Sequence, residues 1–276
     1  MSQPFNFVYF GTPNVASETL ALLIENGFVP SLVVASPDAP RGRGLVLTPS
    51  PTKELALAHN IPLLTPEKLD AGAINAITAY ACDSAVCVAY GKIFPEELIA
   101  LFPKGVLNVH YSLLPKYRGA TPLETALLSG EKETGVTIQK MVKELDAGDI
   151  IAQESTPIAP SETARELRPR LIEMGANLLI QTLPDYLAEN ITPTQQDSSQ
   201  ASYAHKLKKE DGLLDLNAPA ETNWNKYRAY ADTIGTYFMN PTDGGDKRTK
   251  ITKASLKNGT FLIERVIPEG KNERDF

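Results

Sequence analysis

The stretch NVHY places an amide and an imidazole two residues apart, at Asn108 and His110. It closes a short apolar run, GVLNVHY, whose composition predicts a β-strand. Alternate residues of a strand share a face and rise about 3.3 Å each, so the two side chains would lie about 6.6 Å apart on one face. Both can donate hydrogen bonds to an oxygen that gains negative charge during a reaction. The spacing therefore indicates either a catalytic pair at the end of a strand or a structural hydrogen-bonding pair.

Two neighbouring segments could complete such a site. SLLP follows at 112–115, and the residue before a proline is driven away from helical geometry, so we expect an extended turn there. The loop ELDAGDI, after the next strand-like run, supplies Asp146 and Asp149. Either carboxylate could hold the imidazole of His110 and favour its protonated form.

These segments belong to a pattern of alternating strands and helices. Near-continuous apolar strands separated by helices are typical of a parallel sheet that is covered on both faces. We therefore predict a mostly parallel, Rossmann-like α/β domain, and ligands of such sheets bind at the carboxyl ends of the strands. The strand signals lie at 5–11, 30–36, 61–64, 84–91, 105–111 and 135–142, and the helix signals lie at 14–26, 51–60, 66–80, 94–102 and 121–130.

A longer helical pattern follows at 163–189. Thr163 and Glu166 have the spacing of a capping box. Pro169 lies within the pattern and marks either a kink or the true first turn of the helix.

The remaining chain predicts a linker and a small second domain. Residues 191–204 are polar and rich in turn formers, as in a linker. After them, alternating residues around Asn258 and Gly259 predict a β-hairpin. We expect a catalytic domain at 1–190, the linker at 191–204 and a β-rich domain at 205–276.

Two loops lie at predicted strand ends. The turn FGTP at 10–13 lacks the G-x-G-x-x-G fingerprint of dinucleotide binding. It is either an ordinary turn or a helix N-terminus that receives a carbonyl or phosphate. The loop at 36–51 is longer than a strand-to-helix connection needs. Its Arg41 and Arg43 suit phosphates or base edges, and the alternative is a disordered basic surface loop.

Composition and charge exclude several classes of protein. A net charge of −6 argues against bulk nucleic-acid binding, although the segment from residue 205 onwards is slightly basic. The three histidines and two cysteines form no ligand-spaced cluster, so we expect two buried thiols and no metal site. We see neither a secretory signal nor an apolar run long enough for a membrane span, and we expect a cytoplasmic protein.

Two longer stretches resemble a known family. NVHYSLLPKYRGATP and ETGVTIQKMVKELDAGDI are similar to the formyltetrahydrofolate-dependent formyltransferases, and the resemblance runs from residue 4 to about residue 190. The family's Asn, His and Asp triad matches Asn108, His110 and Asp146. The resemblance implies 10-formyltetrahydrofolate as the formyl donor, without a metal. The donor-binding residues that it implies are Val88, Ala89, Tyr90, Gly91, Ile93, Ser112, Leu113, Leu114, Pro115 and Asp146.

Within this family, FGTP and SPDAPRGRGLVLTPSPTKELA resemble the members that formylate methionyl-initiator-tRNA. The stretch KLKKEDGLLD resembles the opening of their second domain, an OB-like barrel that contacts tRNA. The resemblance thus implies formyl transfer to the α-amino group of methionyl-initiator-tRNA by a monomer that contacts the acceptor-stem end. The implied tRNA-binding residues are Gly11, Thr12, Pro13, Arg41, Gly42, Arg43 and Gly44.

Two departures from the family pattern leave alternatives open. Tyr111 stands where relatives carry a small residue, and the second domain is shorter, with YADTIGTYF in place of a Pro-Trp-Pro-Gly turn. One alternative is a sugar-nucleotide N-formyltransferase that uses the same folate donor without the arginine loop. A second is a non-catalytic folate- or RNA-binding module. A third, a nicotinamide-dependent dehydrogenase, is disfavoured by the missing glycine fingerprint.

Overall fold

The computed structural model describes residues 5–42, 44–241 and 245–276, so the predicted tRNA contact Arg43 lies outside the described residues. The chain divides into two compact units, and each is made of several segments. The first comprises the described residues up to Pro115, Gly135–Glu154 and Leu171–Ala201; the second comprises Lys116–Thr134, Ser155–Arg170 and the described residues of Ser202–Phe276.

Strands and helices alternate through most of the described chain. The strands are β1 (Phe7–Gly11), β2 (Leu32–Val34), β3 (Ala39–Arg41), β4 (Val46–Thr48), β5 (Leu63–Leu64), β6 (Ser84–Val88), β7 (Val106–His110), β8 (Arg118–Gly119), β9 (Glu133–Lys140), β10 (Ile150–Pro157), β11 (Tyr203–Ala204), β12 (Thr236–Asn240), β13 (Lys247–Lys257), β14 (Thr260–Pro268) and β15 (Arg274–Asp275). The helices are α1 (Asn14–Glu25), α2 (Pro51–Ala58), α3 (Ala71–Thr78), α4 (Glu96–Ala100), α5 (Pro122–Leu128), α6 (Ala164–Leu187) and α7 (Ala220–Tyr230).

The central sheet is mostly parallel. Its strands lie in the order β10-β9-β7-β6-β1-β2-β5. The strands from β7 to β5 run parallel to one another, whereas β9 runs antiparallel to β7. With helices between the parallel strands, this architecture confirms the predicted Rossmann-like fold. It also brings the carboxyl ends of β1, β6 and β7 to one edge of the sheet.

Apolar runs explain why these strands are buried. Every residue of β1, β2 and β6 is buried. One face of the sheet carries Phe10, Cys87 and Val106, which pack in one cluster with Ile77 of α3 and Leu98 of α4. Full burial of a large apolar side chain stabilises a fold by about 1.5–3 kcal/mol. Packing on this face therefore fixes the positions of β6 and β7 up to the polar end of β7, where Asn108 and His110 lie.

Helix α6 begins where the capping box predicts. The backbone N–H and the Oγ1 hydroxyl of Thr163 donate to Glu166 Oε2 at 2.8 and 2.9 Å. Because the helix runs from Ala164 to Leu187, Pro169 lies inside it and does not mark its start.

The C-terminal region is β-rich, as predicted. Strands β12, β13, β14 and β15 form an antiparallel sheet in chain order. Asn258 and Gly259 have φ values of 49° and 73°, so the predicted hairpin turns through two left-handed residues. Trp224 of α7 is buried with Phe238 and Ile251 of the sheet, which gives this region an apolar cluster of its own.

Several segments contain secondary structure that the sequence analysis did not predict. The 36–51 loop contains the β3–β4 hairpin, in which Ala39 pairs with Thr48 and Arg41 with Val46. Strand β10 was not predicted, because its residues 153–155 are polar and exposed and so hide the strand periodicity. Helix α7 was also missed, although Trp224 and Tyr227 stand at helical spacing. The residues 191–204, predicted as a linker, include a 3-10 turn at Ser198–Gln200 and the strand β11.

Candidate active site

The candidate site begins at the carboxyl end of β7. Asn108 pairs with Cys87 of β6 and Gln139 of β9, and His110 pairs with Thr137 of β9. Residues of one strand alternate between faces, so Asn108 and His110 share the face of Val106, which lies in the apolar core. The two polar side chains thus lie on the same face as the apolar core residues, directly beyond the end of that core.

The structure brings Asp146, and not Asp149, beside the imidazole. His110 is buried, at 5% exposure, and its Nδ1 atom lies 3.6 Å from Asp146 Oδ2. This separation is that of an ion pair when the imidazole is protonated and is longer than a hydrogen bond. Asp149 is exposed, and its backbone carbonyl accepts from the N–H of Lys140 at 2.9 Å. Of the two predicted carboxylates, Asp146 is therefore the partner of His110.

Asn108 presents an amide that the surrounding protein does not use. Its side chain is half-buried, and within the described part of the chain no hydrogen bond to it is formed. Because the side chain is only half-buried, its amide can reach solvent or a ligand at the strand end. The Asn108 amide can donate to an oxygen atom placed at the strand end.

Two glutamines surround Asp146, and the sequence reading missed both. Gln139 Nε2 donates to Asp146 Oδ1 at 2.8 Å. Gln196 Nε2 donates to the backbone carbonyls of Asp146 at 2.8 Å and Gly148 at 2.7 Å. A signal existed for Gln139, because it is the one amide of GVTIQKM and falls on the same side of its strand as Gly135 and Thr137, both buried. Nothing in the sequence distinguishes Gln196 from its neighbour Gln195.

The turn after His110 is fastened to β9 and β10 by polar contacts. Thr137 Oγ1 donates to the Ser112 carbonyl at 2.7 Å and accepts from the Leu114 N–H at 3.2 Å. Gln153 Nε2 donates to Thr137 Oγ1 at 2.8 Å and to the Leu114 carbonyl at 3.0 Å. The Leu114–Pro115 peptide bond is cis. This turn is therefore a fixed wall of the site.

Tyr111 faces away from the site. Its hydroxyl lies 3.3 Å from Thr19 Oγ1 of α1, and a Cβ at Gly175 of α6 would be 3.4 Å from its ring. Burial raises the pKa of the Tyr111 phenol well above its usual value, so the group stays neutral at physiological pH. The tyrosine that departs from the family pattern thus lies near α1 and Gly175.

The segment after β6 presents backbone groups at the same edge of the sheet. Ala89 and Gly91 have φ values of 45° and 82°, and Ile93 is 93% exposed. Tyr90 and Leu114 are buried, so these two predicted donor-binding residues do not present their side chains at the surface. Left-handed residues turn peptide groups out of the regular strand pattern. The predicted donor segment thus offers peptide N–H and C=O groups beside the β7 end.

The FGTP turn lies against this segment. Thr12 Oγ1 donates to the Tyr90 carbonyl at 3.2 Å and lies 3.1 Å from Ser36 Oγ. A Cβ on Gly11 would approach Ala16 Cβ to 2.6 Å, so close packing of α1 against β1 requires glycine there. Thr12 therefore ties together the strand ends of β1, β2 and β6.

The β3–β4 hairpin projects an apolar tip. Leu45, Val46 and Leu47 are 72%, 66% and 69% exposed. Gly42 has a φ of 70°, as the turn of the hairpin requires. Arg41 ends β3 at the base of this turn. A row of exposed apolar residues is typical of a surface that contacts a partner.

Other chemistries find no support in the described residues. Cys82 and Cys87 are buried free thiols, as predicted. Burial raises the pKa of the Cys87 thiol to about 12, so Cys87 is not a nucleophile at neutral pH. In the ranges that the structure describes, no three His, Cys, Asp or Glu side chains are grouped as a metal site would need. Nor does any helix in those ranges have the length and apolar character to cross a membrane.

Comparison with known proteins identifies relatives of the whole chain. The profile of the family described as Formyl transferase matches residues 5–183. The methionyl-tRNA formyltransferase of Trichlorobacter lovleyi is 40% identical over 269 residues, which cover 97% of this chain and 84% of that protein. The methionyl-tRNA formyltransferase of Thermotoga maritima is 45% identical over 229 residues, which cover 83% of this chain and 73% of that protein.

Solved structures share the fold. An N-formyltransferase from Helicobacter canadensis, in complex with folinic acid and dTDP-3-aminofucose, superposes with a TM-score of 0.70 at 21% identity, over 91% of this chain and 88% of that one. Methionyl-tRNA formyltransferase from Clostridium thermocellum superposes with a TM-score of 0.64 at 16% identity, over 96% of this chain and 98% of that one. At these identities the superpositions establish the architecture alone.

Proposed function

This chain belongs to the formyl transferase family, and on that premise we propose that it transfers the formyl group of 10-formyltetrahydrofolate to the α-amino group of methionyl-initiator-tRNA. The single observation that carries the proposal is the meeting of Asn108, His110 and Asp146 at one strand end. The names of the relatives support methionyl-initiator-tRNA as the acceptor, because these relatives, at 40–45% identity, are methionyl-tRNA formyltransferases.

The proposed reaction needs stabilisation of an oxyanion. The methionyl amine attacks the formyl carbon, a C–N bond forms, and the formyl oxygen becomes negatively charged. The Asn108 amide and a protonated His110 donate to that oxygen, and loss of one such donor typically costs about 10²–10³ in rate. The bond from the formyl carbon to N10 of the folate then breaks, and N10 takes up a proton while the amine loses one.

Asp146 stabilises the imidazolium form of His110 from 3.6 Å. A free α-amine has a pKa of about 7.7–8.0, so a useful neutral fraction already exists at pH 7. A strong base is therefore unnecessary, and Asp146 accepts the amine proton directly or through water. The two groups thus have separate roles. His110 stabilises the oxyanion, whereas Asp146 stabilises the imidazolium and accepts the amine proton.

We place the folate donor against the backbone of 88–91 and the wall formed by Ser112, Leu113 and Leu114. The unpaired Asn108 amide and the left-handed residues Ala89 and Gly91 fit a flat, polar ring that is bound by peptide groups. Ile93, exposed at this edge, offers apolar contact to such a ring. Val88 begins the first of these two segments, and Pro115 follows the second.

We place the acceptor end of the tRNA between the FGTP turn and the β3–β4 hairpin. Gly11, Thr12 and Pro13 lie at the end of β1, next to the segment assigned to the donor. We propose Arg41, Gly42, Arg43 and Gly44 as the tRNA contacts from this part of the sequence, because arginine guanidinium groups suit phosphates and base edges. We propose that the protein acts as a monomer.

A choice of acceptors tests the proposal. Purified protein receives 10-formyltetrahydrofolate labelled in the formyl carbon, with methionyl-initiator-tRNA, uncharged initiator tRNA or an amino-sugar nucleotide. We expect label in the charged tRNA alone, because the reacting amine belongs to the methionyl group. Label in the sugar nucleotide alone would identify the sugar-modifying alternative. Folate binding without any transfer of label would identify a non-catalytic module.

A further inference from the structure

Two buried amides hold Asp146 from different parts of the chain. Gln139 is 1% exposed on β9, and Gln196 is 6% exposed in the segment that precedes β11. The Gln139 amide holds the carboxylate oxygen Oδ1, and the Gln196 amide holds the carbonyls of Asp146 and Gly148. The Gln196 nitrogen also lies 3.4 Å from Gln139 Oε1, so the two amides contact each other.

The direction of these hydrogen bonds is fixed by chemistry. A backbone carbonyl and an ionised carboxylate can only accept, so both glutamines must turn their NH₂ groups toward the Asp146 loop. Gln139 thereby occupies Oδ1 and leaves Oδ2 as the oxygen that faces His110, at 3.6 Å. Hydrogen bonds that involve an ionised group are shorter and about twice as strong as neutral ones. The orientation of the carboxylate therefore depends on Gln139.

The backbone of the loop needs a similar constraint. Asp146 has a φ of 49°, in the left-handed region that residues other than glycine rarely adopt. A Cβ at Gly148 would lie 1.6 Å from the Lys140 carbonyl, so the loop passes close against β9. One NH₂ group on Gln196 binds the two carbonyls that flank this tight passage. Gln196 thus stabilises the unusual backbone conformation that presents Asp146.

Two titratable side chains of neighbouring strands lie near Asp146. His110 of β7 faces it, and Cys87 of β6 lies near enough to interact with its charge. The Cys87 thiol is buried and neutral at physiological pH. The glutamine amides are thus uncharged donors to the Asp146 loop, beside an imidazole that can carry a positive charge.

We propose that Gln139 and Gln196 are positioning residues, which act through Asp146 by aiming Oδ2 at the imidazole of His110. The inference rests on the proposed function, because it assigns to both glutamines a role in the same formyl transfer. A positioning role of this kind differs from a packing role. Packing depends only on the volume of the side chains, which two apolar side chains of similar length would fill equally well. Gln139→Met and Gln196→Met keep that volume and remove the donors.

A double-mutant cycle tests the role of Gln139. We expect Gln139→Met to lower kcat about 10-fold to 100-fold, the range for loss of a hydrogen bond to a charged group, with the KM for either substrate changed less than threefold. In an Asp146→Ala background the same substitution should change the residual single-turnover rate less than twofold, because the carboxylate that it serves is gone. Circular dichroism checks that each variant is folded.

Other outcomes overturn the inference. Equal losses of rate from Gln139→Met in both backgrounds would show a packing role, and no loss in either would show no role. If Gln139→Met does not fold, Gln139→Glu serves instead in the same cycle; it keeps the shape, sets a carboxylate against Asp146, and should lower kcat at least about 10-fold in the wild-type background but less than about twofold in the Asp146→Ala background. If Asp146→Ala itself retains kcat within threefold of wild type, the proposed function of Asp146 fails, and the inference fails with it.

Gln195 provides a matched control for Gln196. It is the same residue type one position earlier, and its side chain is exposed. Gln195→Met should leave kcat unchanged, whereas Gln196→Met should lower kcat at least 10-fold, by the same loss of hydrogen bonds. Equal effects of the two substitutions would remove Gln196 from the inference.

Discussion

Replacing Gly148 by alanine gives a direct measure of how tightly the Asp146 loop must pack. An added Cβ would lie 1.6 Å from the Lys140 carbonyl oxygen, which is backbone and cannot swing aside. Carbon–oxygen contacts begin at about 3.3 Å, so the loop or the end of β9 must move by about 1.7 Å. The Lys140 N–H also donates to the Asp149 carbonyl, so the displacement passes along the loop.

A shift of this size reaches the reacting groups. Asp146 lies two residues from Gly148, and its Oδ2 atom is 3.6 Å from the imidazole. A misplacement of about 1 Å in an active site can cost about 10²-fold in rate. We therefore expect Gly148→Ala to lower kcat at least about 100-fold.

The assay is single-turnover formyl transfer with saturating donor, next to circular dichroism as a check of folding. Gly72→Ala is the matched control, because it lies near the start of α3 and its added Cβ would meet only the Asp70 side chain, at 3.3 Å. Gly72→Ala should keep the wild-type rate. A folded Gly148→Ala protein with kcat within threefold of wild type would refute the packing argument.

Two further predictions concern the hairpin and the C-terminal sheet. Arg43→Ala should raise the KM for initiator tRNA about 10-fold, since loss of a hydrogen bond to a charged group costs about this much. The KM for the folate donor should stay unchanged. Equal rates of Arg43→Ala and wild type at limiting tRNA would contradict this assignment. Hydrogen bonds from Lys253 and Ser255 lower the pKa of Glu264 to about 2, below its unfolded value of about 4.3. Glu264 therefore stabilises the fold above about pH 4.3, and this contribution disappears as the pH falls toward 2. Glu264→Gln should show a weaker loss of thermal stability than wild type between about pH 5 and pH 2, as followed by the fluorescence of Trp224, the chain's one tryptophan; identical pH profiles would contradict it.

The sequence predicted the sheet well because its strands are buried on both faces. Such strands appear as continuous apolar runs, and the polar residues Asn108 and His110 at the end of one run mark the site. The capping box at Thr163 and the Asn-Gly turn at 258–259 were also readable, since each has a local physical cause. Local signals of this kind do not depend on the rest of the fold.

The missed features depend on contacts between distant segments. Gln196 reaches Asp146 across fifty residues, and no local pattern predicts that meeting. The edge strand β10 has polar residues facing outward and so lacks an apolar run. The choice between Asp146 and Asp149 likewise depended on the left-handed turn at Asp146, which only the folded loop reveals.

Replacement of His110 is the sharpest test of oxyanion stabilisation at the end of β7. The account predicts that His110→Ala lowers the single-turnover rate of formyl transfer to methionyl-initiator-tRNA by at least about 10²-fold, as expected for loss of an oxyanion donor. His59→Ala, which removes an exposed imidazole at the end of α2, should keep the wild-type rate. A His110→Ala protein that transfers formyl groups within threefold of the wild-type rate would contradict the account.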